Sequence, residues 1–429
     1  MSKGNLKSYH VEAWDTLQYL FKVKKINDHT LHFVAKFSGK LDWKRLNQAV
    51  SLSADAFPLV RCRFNENKGH PYWEDKGFAS DEMVSFIEIE NTDESAFEFL
   101  HKEVDTVNGP QLKIQLIRNN KADTLCVKIN HMLCDAAGFK DYLYLLSSIY
   151  TQVGENPEYR PHSVMGDRKI QQVLKTFSAQ DKLNIIFKKY NMAVHDKALF
   201  NFEGDLKNPF IELRTIPREQ FRLLKEYAKV HDATVNDVIL TAFIRVLYGL
   251  FGRVVTVPCT IDLRRHLLNH KAAGICNLVT NLSCNIGSDL GVSFDDTLDK
   301  VKLAMNKEKA NIGYIKSLSL LEIAFRIFPY KTARKIVEKI FFNAPIAFTN
   351  VGILDKNKLN FGQTKISGAY MTGSIKYIPY FQLALSTFDD EVTFSINLYG
   401  TQSDRAKISS FCDKFALELQ NANLLRTGG

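Results

Sequence analysis

Apolar and polar positions alternate along residues 123–130 (DTLCVKIN), with Leu125, Val127 and Ile129 on one parity and Lys128 on the other. A period of two predicts a strand with one face turned to a core, and His131 continues the parity of that inner face. Beyond Asp135 the period changes. Phe139, Leu143 and Leu146 recur at helical spacing, with Tyr142, Leu145 and Ile149 beside them. The pattern therefore places a histidine at the end of a strand, an aspartate in the turn and a buried helix after it.

Elsewhere the chain mixes the same two periods. Strands are expected at 29–39, 58–64, 83–90 and 112–118, and helices at 41–57 and 93–104. Residues 151–208 are rich in polar residues, glycine and proline, which predicts a linker with helical pieces. A second unit follows: a strand at 210–217, helices at 218–233 and 234–252, and a strand running into Asp262. Thr234 and Asp237 fit a capping box, and Gly252 fits a helix stop. Alternating runs at 380–388 and 392–399 about an acidic turn predict a hairpin, and an amphipathic helix closes the chain. Strands mixed with helices in two comparable halves indicate an α/β architecture, divided as 1–160, a linker at 161–208, and 209–429.

Composition narrows the function classes. At 429 residues the chain exceeds one ordinary core, and 45% apolar with 24% charged residues is usual for a globular protein. No run approaches the roughly 20 apolar residues of a membrane span. The start, MSKGNLKSYHVEAWD, lacks the apolar stretch of a secretory signal, so a cytoplasmic location without membrane insertion is expected. The seven cysteines are scattered without C-x-x-C spacing, which suggests neither a zinc site nor a disulfide framework, and no metal is expected. Cys134, inside the turn, reads as a small apolar residue. The net charge of +9 suits a phosphorylated cofactor, an acidic carrier protein or nucleic acid, but no basic arm, zinc finger or aromatic-interleaved motif supports nucleic acid. In 325–342, Arg326, Lys331, Arg334, Lys335 and Lys339 interrupt bulky apolar residues. That segment reads as a partly buried helix with a basic face, with membrane-surface binding as the rival.

Taken alone, a histidine at a strand end is as readily a hydrogen-bonded structural residue as a general base. Distant segments weigh for the base. Asn130-His131-Met132-Leu133-Cys134-Asp135-Ala136 is similar to an H-H-x-x-x-D-G signature. FPLVRCRF (57–64), IDLRRHL (261–267) and FTNVG (348–352) follow in the matching order. On these segments the chain resembles the coenzyme A-dependent acyltransferase superfamily, which includes chloramphenicol acetyltransferases, condensation domains of nonribosomal peptide synthetases and alcohol acetyltransferases. Two positions depart from the signature. Asn130 replaces the first histidine, and Ala136 replaces a glycine. The alanine is awkward if the turn needs a positive φ, unless Gly138 supplies the freedom.

The resemblance implies two chloramphenicol acetyltransferase-like αβ subdomains with an active-site tunnel between them. It implies an acyltransferase moving an acyl group from a thioester to a hydroxyl or amine, with His131 as general base. Thr349, with Asn350 as runner-up, would donate to the oxyanion. Asp135 would pair with Arg264 and brace the histidine loop rather than carry a proton. Gln382, Ser386 and Thr387 would line the tunnel, though core-facing strand positions explain them as simply. No permanently bound cofactor is implied: acyl-coenzyme A or an acyl carrier protein thioester is the co-substrate, and a small alcohol or amine the acceptor. The rivals are a free-standing condensation-type enzyme and a degenerate, non-catalytic carrier-binding protein.

Overall fold

The computed structural model describes residues 7–67, 69–187, 200–340 and 343–424. Its first large sheet has five strands in the order Ile366–Thr372, Thr30–Phe37, Asp123–Asn130, Leu112–Arg118 and Val84–Glu88. The second has six: Val279–Cys284, Val257–Asp262, Ile346–Leu354, Phe381–Phe388, Glu391–Tyr399 and Pro209–Ile216. A small third sheet joins Ser8–His10, Tyr72–Asp75 and Cys62–Asn65.

Each large sheet carries its own core. Trp43–Ala56 and Ala136–Glu155 pack over the first sheet, burying Leu46, Val50, Phe139, Leu143 and Leu146 against Phe33, Val127 and Ile129. Val235–Phe251 and Gln402–Leu424 cover the second, where Phe243, Phe348, Phe381, Phe411 and Phe415 form a connected aromatic cluster. The capping box at Thr234 and Asp237 is formed, and Gly252 ends the helix in the left-handed region at φ 65°. That conformation favours glycine because it has no Cβ.

Several expectations need correction. The strand Ile366–Thr372, expected within a C-terminal unit starting at 209, pairs in register with Thr30–Phe37 and completes the edge of the first sheet. The two halves are therefore interleaved rather than consecutive. Pro58–Arg61 is a 3-10 turn, since Pro58 lacks the donor a ladder needs, and the strand begins only at Cys62. Lys128, on the outer parity of its strand, is 2% exposed because the helix Thr92–His101 covers that face. Its Nζ donates to the Phe99 carbonyl at 2.5 Å and also to that of Lys102, at the helix's C-terminal end where carbonyls lack partners. The basic apolar stretch is two helices, Lys316–Ile327 and Tyr330–Ile340, broken at Phe328 and Pro329; its residues 341 and 342 lie outside the described ones. Among the described residues no single helix is long and apolar enough to cross a membrane.

Candidate active site

The strand Asp123–Asn130 delivers His131 to a tight turn, and that turn's main chain is held on every side. The His131 N–H donates to the His29 carbonyl at 2.7 Å. Asn277 Nδ2 donates to the carbonyls of His131 and Met132 at 3.0 and 3.1 Å. Asn130, the departure from a paired histidine, is fully buried and does local work. Its Oδ1 accepts from Met132 N at 2.9 Å, while its Nδ2 donates to Gln111 Oε1 at 2.6 Å. A side chain that closes the turn onto its own backbone is what short polar residues do well.

Asp135 sits at the N-cap of Ala136–Glu155, where its Oδ1 accepts from Gly138 N at 2.8 Å. Its Oδ2 accepts from Leu278 N at 2.6 Å and from Arg264 Nη1 at 2.9 Å. Arg264 also donates to Asp262 Oδ1 at 3.0 Å and to the Cys276 carbonyl at 2.9 Å. Both partners of the Asp135–Arg264 pair are at least 95% buried, so the pair bridges the first sheet's turn to the second sheet's strand end in a dry setting. Burial pushes the Asp135 carboxyl up, but the Arg264 charge and the hydrogen bonds outweigh it and hold the group below the ordinary carboxylate range.

Ala136 costs nothing in this turn. It opens the helix, no residue from 131 to 138 has a positive φ, and the expected need for glycine freedom does not arise. Gly138 matters for a different reason: a Cβ there would lie 2.8 Å from both Cys134 Cβ and the Cys276 carbonyl. It permits close approach of the helix to 276. Cys134 is fully buried with its thiol pushed far up by desolvation, which makes it inert packing.

His131 itself is partly buried. Burial lowers its imidazole below the usual histidine value, against the opposing pull of its own carbonyl and of Asp135, so the ring is neutral at pH 7. Nδ1 is buried with no partner in hydrogen-bond geometry. Nε2 forms no hydrogen bond to a side chain among the described residues, and the Cys134 carbonyl, like the residue's own, pulls the ring's pKa upward.

The other expected residues are spread across the second sheet. Thr349, half-buried on Ile346–Leu354, has a hydroxyl with no partner among the described residues. Asn350 is exposed and engaged: its Nδ2 donates to Asn236 Oδ1 at 3.1 Å, and its Oδ1 accepts from Gly352 N at 2.8 Å. Neither forms a hydrogen bond to the His131 loop. Ser386 is 1% exposed, and its Oγ is spent on Met371 N and O, tying the two sheets together at 3.0 and 3.2 Å. That bonding makes it a seam residue rather than a lining one. Gln382 is half-buried near Gly373. Thr387 borders a cleft of about 1370 Å³ between the halves, together with Lys140, Arg264, Lys271, Asn350 and Lys356. His131 is not among the lining residues of this cleft, which reaches the motif only through Arg264 and the first turn of the helix.

Sequence reasoning missed a second buried pair. Arg168, placed in the expected linker, donates to Asp15 through Nη2 at 2.8 Å and Nη1 at 3.0 Å. Its Nη2 also reaches the Leu133 carbonyl at 3.0 Å and its Nε the Ile275 carbonyl at 3.2 Å. Gly166 makes this possible: a Cβ there would fall 1.9 Å from the Ala273 carbonyl, so only glycine lets 165–168 lie against 273–275. A lone arginine in a polar stretch carries no signal of such a role, and neither does Asn277.

Residues 275–421 match the family model of the WS/DGAT C-terminal domain. The comparison with curated proteins gave no match. Three solved structures align over nearly the full length. A trichothecene 15-O-acetyltransferase from Fusarium sporotrichioides has TM-score 0.70 and 12% identity, covering 98% of this chain and 96% of its own. The first condensation domain of the CDA synthetase gives 0.68 and 13%, covering 96% of each chain. The epimerization domain of the third module of tyrocidine synthetase B gives 0.65 and 12%, covering 97% and 96%. The chain therefore has the two-subdomain fold shared by condensation domains and chloramphenicol acetyltransferase-like acyltransferases, as the motif order led us to expect. Those neighbours perform different chemistry on one scaffold, so the reaction has to be argued from the site.

Proposed function

We propose that the protein transfers an acyl group from a thioester to a hydroxyl or amine, with His131 as general base. One observation carries this reading: a neutral imidazole whose backbone is fixed by His29 and Asn277 while neither ring nitrogen is tied to a side chain. A histidine kept for structure would spend its nitrogens on hydrogen bonds. A proton on Nδ1, facing the ring's own carbonyl, leaves the Nε2 lone pair free to take the acceptor's proton. The acceptor then adds to the thioester carbonyl, and the imidazolium returns that proton to the departing thiolate.

The tetrahedral intermediate needs a fixed donor for its oxyanion. Thr349 suits this better than Asn350, because its hydroxyl is unspent whereas the Asn350 amide is held by Asn236 and Gly352. Asp135 holds the loop through Arg264 and stays ionised, so it moves no proton. The donor is acyl-coenzyme A, with an acyl carrier protein as the second source. The large cleft favours a long donor arm, since it runs past lysines 140, 271, 356 and 358 to the motif's helix.

Intact-mass detection of transfer, across acyl-coenzyme A and acyl-carrier donors with alcohol and amine acceptors, tests the reading. His131→Ala should lower the rate by about 10²–10⁴ with unchanged thermal unfolding. A variant that turns over like wild type would remove His131 from the chemistry.

A further inference from the structure

The segment Asn27–Thr30 runs between two others. On one edge the His29 carbonyl takes the His131 N–H, and Thr30 pairs with Asn130. On the other edge Asn27 bridges to Lys376, and Asp28 exchanges bonds with Ile375: Asp28 N donates to the Ile375 carbonyl at 3.0 Å, and Ile375 N to Asp28 Oδ1 at 2.9 Å. Lys376 thus belongs to the crossover that leaves the first sheet at Thr372 and enters the second at Phe381. It flanks the histidine turn at a remove of about two strand spacings, roughly 10 Å. A lysine side chain spans more than half of that, and its charge is felt at the His131 ring.

This crossover gathers buried polar atoms that nothing satisfies. Ser374 Oγ, Asp28 Oδ2 and Asn397 Oδ1 have no hydrogen-bond partner, in residues that are 4%, 1% and 4% exposed. Hydrogen bonds fix Asp28 and Asn397 against residues 373–376: Lys376 N donates to the Asn397 carbonyl at 3.0 Å, and Asn397 Nδ2 donates to the Gly373 carbonyl. The Lys376 ammonium makes no direct hydrogen bond or ion pair among the described residues, and the carboxylate whose charge reaches it is that of Asp28. Unpaired buried polar groups are costly and mark a missing partner. So many in one place, beside a catalytic base, describe a cradle for a polar ligand group.

We propose that residues 374–376 form an anion subsite beside His131, in which Lys376 and the Ser374 hydroxyl hold a carboxylate of the acceptor. This rests on the acyl-transfer reading for its biological sense, but not for its test. Asp28 faces the same loop. Burial raises its carboxyl to about 7, so near neutrality much of it is protonated and it offsets the ammonium only in part. Burial also lowers Lys376, to about 8, which leaves it mainly cationic at pH 7. A bound carboxylate would shift both groups toward their protonated forms, with Asp28 then able to donate from Oδ2.

The test is equilibrium binding without any acyl donor. A series of ω-hydroxy acids, from glycolate to 6-hydroxyhexanoate, is titrated against the matching carboxamides by calorimetry. In the wild-type chain the best-fitting acid should bind about tenfold or more tighter than its amide. Lys376→Met should bring that ratio to about one, Lys376→Arg should restore part of it, and His131→Ala should leave it intact. Lys376→Met should also unfold no earlier than wild type, because it removes a desolvated charge that no direct ion pair compensates. Equal binding of acid and amide, no binding by either series, or a ratio that survives in Lys376→Met would each overturn the subsite. A Lys376-dependent acid preference in a protein that transfers no acyl group would keep the subsite and discard the transferase reading.

Discussion

Two arginines reach the motif turn, and only one of them left a trace in the sequence. Arg264 meets a carboxylate that belongs to the turn itself, Asp135. Arg168 brings its own carboxylate, Asp15, from the helix Ala13–Val23 and offers the turn only donors for the Met132 and Leu133 carbonyls. Both pairs are almost wholly buried. The difference is in what each demands of the chain. Asp135 must cap a helix, accept from Leu278 and stand four residues after His131, so its type and offset are fixed. A grip on carbonyls demands no particular side chain in the turn, and carbonyls are written at every position.

The comparison breaks most readily at the pairs. Arg264→Ala strands the Asp135 carboxylate and should cost about 3–5 kcal/mol in chemical unfolding. Asp135→Ala should cost as much plus about 1 kcal/mol for the lost N-cap. Combining the two should cost clearly less than their sum, since neither charge is then stranded. Additive losses would mean the contact contributes nothing. Arg168→Ala should cost less than Arg264→Ala, because Arg264 pairs with Asp262 at 3.0 Å as well as with Asp135, so its loss leaves two carboxylates without their cation, whereas Arg168 ion-pairs with Asp15. An Arg168 loss equal to the Arg264 loss would mean that the second carboxylate on Arg264 adds nothing.

A smaller effect is expected at Asn277, which gives the turn hydrogen bonds but no charge. Asn277→Ala should cost about 0.5–1.5 kcal/mol per bond lost, read by the same unfolding experiment. The smallest effect is the sharpest test of which side speaks to the histidine. On the proposed reading the base works as a neutral ring, so kcat/KM should fall as pH drops through the His131 pKa, which burial holds below 6.5. The Asp135 charge pulls that pKa upward, so Asp135→Asn should move the acid limb to still lower pH. Asp15→Asn should leave the limb in place. A limb above 6.5 in the wild type would contradict a desolvated ring.

What could be read in the sequence follows the same logic. The strand, turn and helix around His131 were legible because each keeps a clean period and the Asp135 position is chemically constrained. The face of Lys128 was misjudged, since period two shows alternation but not that a helix end supplies carbonyls over the outer side. Polar composition in 161–208 hid Arg168, whose burial depends on two chain segments touching at Gly166. The strand ISGAYMT, with little alternation and a glycine inside, gave no period at all. Its pairing is set by the edge it completes. Thr349 and Asn350 could not be ranked from residue types, because only the structure shows which side chain is already spent.

That borrowed edge strand has a consequence for how the protein is made. Synthesis runs from the N-terminus, so Thr30–Phe37 and its neighbours emerge long before Ile366–Thr372 exists to cover them. At about 5–20 residues per second, the open edge waits on the order of ten seconds or more. An uncovered strand edge is a template for the wrong neighbour. On a crowded ribosome, then, the vulnerable species is the nearly finished nascent chain, and a stop codon shortly before residue 366 should yield aggregate rather than a working N-terminal half.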